Sequence, residues 1–172
     1  MPTNHDDRAE IYELVCSYCR AVDRLDLDGV RAVYAEDGVD HHTGFSGTAD
    51  EYVAWLGRML PALDGTMHIV GNQLVEVFGD EAVAETYGQA VHWGRPAESS
   101  AVNFISGFRY VDHLVRREGA WRIRERWAVR EWTRSDAGRF LPRSAPGPTA
   151  ARDRSDPVHV LLDRLRDSSA GG

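Results

Sequence analysis

A chain of 172 residues, 42% apolar and 27% charged, is long enough for one domain with a hydrophobic core and a short tail. Its net charge of −7 argues against nucleic acid as the main partner, because neutralising phosphates needs a cationic face. All 20 basic residues are arginine, which excludes Schiff-base chemistry and a lysine general base.

The first ten residues are acidic rather than those of a signal peptide, and no apolar run approaches the ~20 residues of a membrane span. The expected setting is the cytoplasm, with no membrane partner. Ile11, Leu14, Val15, Tyr18 and Val22 recur at helical spacing and predict an amphipathic helix over about 6–24. Cys16, Cys19 and Asp23 lie on a stripe beside that face, so Asp23 sits at the edge of the buried surface. Cys16-Ser17-Tyr18-Cys19 has C-x-x-C spacing, but it falls inside a helix and no second cysteine pair completes a zinc site. It reads as two reduced, part-buried thiols, and no metal site is expected.

A short helix over about 27–35 follows, with Val30, Val33 and Tyr34 inward and Asp26 or Asp28 near its cap. Val39-Asp40-His41-His42 reads as a short strand, from which only one of the two histidines can point inward. Thr48-Ala49-Asp50-Glu51 is a capping box. The helix it opens carries the apolar stripe Tyr52, Val53, Trp55, Leu56, Met59, Leu60 and Leu63, with Trp55 expected against a substrate. Pro61 makes its last turn irregular.

From Thr66 the period changes to two, and residues 66–78, 82–94, 101–117 and 120–133 read as four long strands. Gly79-Asp80 and Glu118-Gly119 are tight turns. The expected fold is α+β: a cone-shaped, curved antiparallel or mixed sheet wrapped around N-terminal helices, with a pocket inside. This domain spans 1–140. Residues 141–172 read as a Pro/Ala/Arg-rich linker and a short helix near 157–166.

His68 begins a strand, with Val70 and Leu74 expected on its face, and Asp23 ends a helix that must cross the same sheet. In contact, the carboxylate would fix the imidazole tautomer and make His68 a general base. His92 shares a face with Ala84, Thr86, Gly88 and Ala90, small residues that leave room for a ligand or for close helix packing. Phe104, Ser106, Phe108 and Tyr110 share another face, which reads as core or as pocket wall. On the last strand, regular alternation sets Trp121, Ile123, Glu125 and Trp127 inward and Arg122, Arg124 and Arg126 outward. A pocket role for Arg126 therefore requires a bulge.

The element order, with Ala21-Val22-Asp23-Arg24, Thr66-Met67-His68-Ile69-Val70-Gly71-Asn72 and Gly119-Ala120-Trp121-Arg122-Ile123, resembles the SnoaL-like branch of the nuclear transport factor 2-like superfamily over about 5–133. Scytalone dehydratase, hexachlorocyclohexane dehydrochlorinase and bile-acid 7α-dehydratase are relatives it suggests. The resemblance implies a cofactor-free, metal-free lyase, often oligomeric. Asp23 and His68 match the shared Asp–His dyad. Tyr18 looks like the helix tyrosine of the bile-acid enzyme, and His92 falls near the second histidine of scytalone dehydratase. Arg126 matches an arginine of the dehydrochlorinase, and His41 lies near a tyrosine of scytalone dehydratase. Phe108 and Tyr110 stand where that dehydratase has serine and asparagine, so its substrate does not carry over.

The expected function is a cofactor-independent lyase of dehydratase type, or an isomerase or cyclase. Its substrate would be a hydrophobic oxygenated molecule such as a polyketide, steroid or aromatic intermediate. His68 and Asp23 form the base, Tyr18, His92 or His41 supplies the acid, and Arg126, His41, Phe108, Tyr110 and Trp55 hold the substrate. A homo-oligomer, dimer or trimer, is expected. The alternatives are a non-catalytic assembly module like the small subunit of ring-hydroxylating dioxygenases, or a catalytically dead ligand-binding relative.

Overall fold

The computed structural model describes residues 4–96, 98–136, 151–155, 160 and 163, with side chains from Asp6 onward. Helix α1 (Asn4–Asp23) buries Ile11, Val15, Tyr18 and Val22, the stripe its spacing predicts. Near its start, buried Asp7 accepts from the Trp121 indole (3.2 Å) and from Arg116, which fastens the helix to the sheet. Helix α2 (Leu27–Ala32) is capped by Asp26, whose carboxylate accepts from Gly29 N at 2.9 Å. It ends earlier than expected because the Val33 carbonyl is already taken by Ile123 N (2.9 Å) and Tyr34 enters a strand.

Strand β1 (Tyr34–His42) is longer than the segment read from sequence, and it hairpins into β2 (Phe45–Thr48), a strand that reading does not include. Helix α3 (Ala49–Met59) opens on the capping box: Thr48 Oγ1 accepts from Glu51 N, and Glu51 accepts from Thr48 N at 2.8 Å. It runs into a tight turn at Leu60–Ala62 around Pro61. Four long strands follow: β3 (Gly65–Phe78), β4 (Glu81–Trp93), β5 (Phe104–Arg117) and β6 (Ala120–Ser135). Glu118 and Gly119 both have positive φ, the backbone that a two-residue hairpin turn demands.

The fold is α+β: helices cover one face of an open, six-stranded mixed sheet of order β2-β1-β6-β5-β4-β3. Neighbours are antiparallel except β1 with β6, which run parallel. Among the described residues no helix is long and apolar enough to cross a membrane. The linker at 141–150 and most of the expected helix at 157–166 lie outside the described residues. Of the tail, Arg152 donates to the carbonyls of Leu60 (3.1 Å) and Leu63 (2.6 Å), which ties residues 151–155 to the end of α3.

Three bulges decide which side chains face the helices, and period-two reading misses all of them. On β3, Gly71 and Asn72 together oppose Tyr87. The inner face passes from Val70 to Gln73 and Val75, and Leu74, expected beside His68, is 67% exposed. On β6, Arg124 is an extra residue between the pairs Ile123–Leu114 and Glu125–His113. Arg126 therefore turns inward and is fully buried, whereas Glu125 and Trp127, expected inward, face out. A second extra residue on β6, Glu131, keeps Thr133 on the inner face opposite Ser106.

Arg126 makes a two-pronged ion pair with Asp112, at 2.7 Å for each contact, and neither side chain is exposed. Its guanidinium lies 4.3 Å from the Tyr18 ring centroid and 4.1 Å from that of Tyr110. Burial opposes the charge, but the Asp112 carboxylate overrides it and holds the guanidinium protonated. Removing one member leaves the other as an uncompensated buried charge. Asp112→Ala is expected to lower unfolding stability by about 3–5 kcal/mol. Chemical denaturation checks this, and a loss below ~1 kcal/mol would contradict a structural role for the pair.

Candidate active site

Asp23, the last residue of α1, turns its carboxylate onto the first residues of β3. Thr66 Oγ1 donates to Oδ1 at 2.9 Å, and His68 N donates to Oδ2 at 3.0 Å. The His68 ring meets the same carboxylate through Nδ1, 2.7 Å from Oδ1. An ionised carboxylate only accepts, so Nδ1 carries the proton and Nε2 keeps its lone pair. Both side chains are about nine-tenths buried. The structure thus brings together two residues 45 positions apart as an oriented imidazole.

His68 lines a cavity of about 360 Å³ between the inner face of the sheet and α3. Phe108, Tyr110, His92 and Trp55 also line it, as four of the expected site residues. Phe108 and Tyr110 form an aromatic wall with ring centroids 4.4 Å apart. The small residues of β4 divide their roles: Ala82 and Ala84 belong to the core, and Ala90 faces the cavity. Gly88 lies under the Phe108 ring, where a Cβ would come within 2.5 Å of Cζ.

His41, expected in the pocket, faces away from it. It sits between Ser46 Oγ (2.7 Å) and Glu125 Oε1 (3.0 Å) and stacks on Trp127. Alternation along β1 instead turns Asp40 and His42 inward, and His42 lines the cavity. Tyr18 and Arg126 are not lining residues either. Tyr18 is 1% exposed, and its hydroxyl bonds to that of Tyr52 at 2.5 Å. Burial raises its pKa, against the pull of Arg126, so the phenol stays protonated. Arg126, behind Tyr110, is a structural cation rather than a substrate ligand. Arg130 is the arginine that reaches the cavity, with Ser106 and Thr133 beside it. Sequence reading took His41 where His42 is the inward ring of the pair, and it missed Arg130. Ala128, small and at even parity with Arg130 after odd-parity Trp121 and Ile123, is the signal that the strand changes face.

His92 stacks on Phe104 at 4.1 Å and stands edge-on to His68 at 6.1 Å. Burial, and then the neighbouring His68, push its pKa down to about 4. Among the described residues its Nδ1 is buried without a hydrogen-bond partner. At neutral pH His92 is therefore a neutral ring and no reservoir of an acidic proton. Ring-proton NMR should show His92 titrating near pH 4, and a midpoint near the ordinary 6.5 would contradict this environment.

The SnoaL-like domain family matches residues 4–127. An uncharacterised protein of Mycobacterium tuberculosis is 30% identical over 122 residues, covering 68% of this chain and 80% of the relative. Among solved structures, a candidate scytalone dehydratase of Novosphingobium aromaticivorans superposes with a TM-score of 0.69 at 21% identity, covering 83% of this chain and 93% of that one. The type-three hexachlorocyclohexane dehydrochlorinase of Novosphingobium barchaimii gives 0.68 at 17% identity, covering 80% and 96%. At these identities the structural likeness is one of fold. With the family match spanning most of the domain, the chain belongs to the SnoaL-like domain family.

Proposed function

We propose that this protein is a cofactor-independent lyase of dehydratase type, or an isomerase or cyclase working through the same first step. In that step His68 Nε2 removes a proton from a carbon next to a carbonyl or to a carbon bearing a leaving group. The observation that carries the reading is the Asp23–His68 contact at 2.7 Å beside a cavity, which leaves one imidazole nitrogen free as a base. As the proton arrives, the Asp23 carboxylate balances the imidazolium charge, and Thr66 and the His68 amide keep that carboxylate aimed.

The lining of Trp55, Met59, Phe104 and Phe108 suits a flat, mostly apolar substrate. The hydroxyls of Ser106 and Thr133 and the Arg130 guanidinium give its oxygens polar partners. A polyketide, steroid or aromatic intermediate has this chemistry. The names of two structural neighbours, a dehydratase and a dehydrochlorinase, denote eliminations, in keeping with such a step.

Hydroxy-ketones and polyketide-like compounds, screened by loss of substrate and gain of conjugated absorbance, test the reading. His68→Ala is expected to lower turnover by at least about 10²-fold, the usual worth of a positioned base. Asp23→Asn should lose about 10²–10⁴-fold, with the fall mainly in kcat, because the imidazole loses its fixed tautomer. Unchanged turnover in His68→Ala would end the mechanism.

A further inference from the structure

The cavity holds a second histidine–carboxylate pair. His42 Nδ1 bonds to Asp40, whose side chain is completely buried. The other oxygen of that carboxylate accepts from the Tyr34 hydroxyl at 2.5 Å. With Nδ1 committed to Asp40, Nε2 is the ring's remaining proton site. It lies 3.3 Å from the Tyr52 hydroxyl, at the long end of hydrogen-bond range, and Tyr52 is in turn bonded to Tyr18 at 2.5 Å. The His42 ring stacks on Tyr52 with centroids 4.8 Å apart. The Asp40 carboxylate and the Tyr52 ring thus hold the imidazole at the cavity surface, each with a further tyrosine hydroxyl bonded behind it.

This pair stands apart from the first. His68 flanks the Phe108 ring at 6.1 Å and His42 flanks the Tyr110 ring at 6.2 Å, with Phe108 and Tyr110 side by side between them. Both histidines line the cavity, one beside each ring of that aromatic wall. Each histidine is held through Nδ1 by a buried carboxylate, so each handles protons through Nε2. His92 cannot take the acid role, because burial keeps it neutral, and Tyr18 does not line the cavity: its hydroxyl bonds to that of Tyr52.

We propose that His42, positioned by Asp40, is the general acid of the site, and that the substrate is a β-hydroxy or β-alkoxy carbonyl compound. This rests on the proposed base role of His68. His68 Nε2 takes the proton α to the carbonyl, and the C–H electrons form the new carbon–carbon double bond. The β carbon–oxygen bond breaks, and its electron pair takes the proton from His42 Nε2, so the group leaves as water or an alcohol. His68 ends as imidazolium and His42 as neutral imidazole. Transfer of one proton from His68 to solvent and one from solvent to His42 restores both. Asp40 is a positioning residue that balances the charge on His42.

Leaving-group dependence tests this. The probes are a β-(para-nitrophenoxy) ketone, whose phenoxide departs without protonation, and the matching β-methoxy ketone, whose alkoxide does not. In His42→Gln, methoxy elimination should fall about 10²-fold further than nitrophenoxy elimination, the worth of a general acid. Asp40→Asn should show the same bias in smaller degree. His68→Ala should suppress both probes alike. Equal losses for the two probes in His42→Gln would mark His42 as structural and overturn the proposal while leaving the base intact. So would wild-type rates for both. If His68→Ala leaves both eliminations unchanged, or the wild-type protein eliminates neither leaving group, the base reading fails and this one with it.

Discussion

The Asp23 carboxylate, held by Thr66 Oγ1, the His68 amide and the His68 ring, is the contact from which the site is built. It lies at the C-terminal end of α1, where the helix dipole disfavours an anion. The three donors offset that placement, and they do so at the start of β3, one of the two edge strands of the sheet. One interaction therefore joins helix to sheet, sets the height of α1 over the strands, and decides which imidazole nitrogen is free. Without it His68 would be a half-buried strand residue with an undefined tautomer.

A second constraint supports the first from behind. The Asp112–Arg126 pair, pressed between the rings of Tyr18 and Tyr110, fixes the floor on which the cavity stands. Charges buried this deeply are costly, and they persist where both partners are held in good geometry. Here a single inserted residue, Arg124, aims Arg126 at Asp112 instead of at solvent. Tyr18 packs against this pair, passes its hydroxyl to Tyr52, and through it borders His42. The buried network and the cavity surface are continuous, so the rigidity of one orients the other.

Much of this was legible in the sequence because it depends on period and local chemistry. The α1 stripe, the Thr48–Glu51 capping box and the four long strands follow from side-chain spacing and hydrogen-bonding groups. The Asp23–His68 contact was reachable because one residue ends a helix and the other begins a strand. Four of the differences share one cause. Leu74, Glu125, Trp127 and Arg126 were placed by strict alternation, and each lies beyond a bulge that reverses it. A bulge answers to pairing across the sheet, which no single strand's pattern carries. His41 and His42 are adjacent, so only the direction of β1 against β6 separates the exposed ring from the one in the cavity. Asp40, two residues before His42 and on the same face, was the local clue.

Long-range proton–nitrogen NMR correlation reads directly which nitrogen of the neutral His68 ring bears the proton. The Asp23 contact predicts a proton on Nδ1 and a bare Nε2 in the wild-type protein. A proton on Nε2, with Nδ1 bare, would contradict it: the carboxylate would then not hold the ring, and the cavity would have no base on this residue.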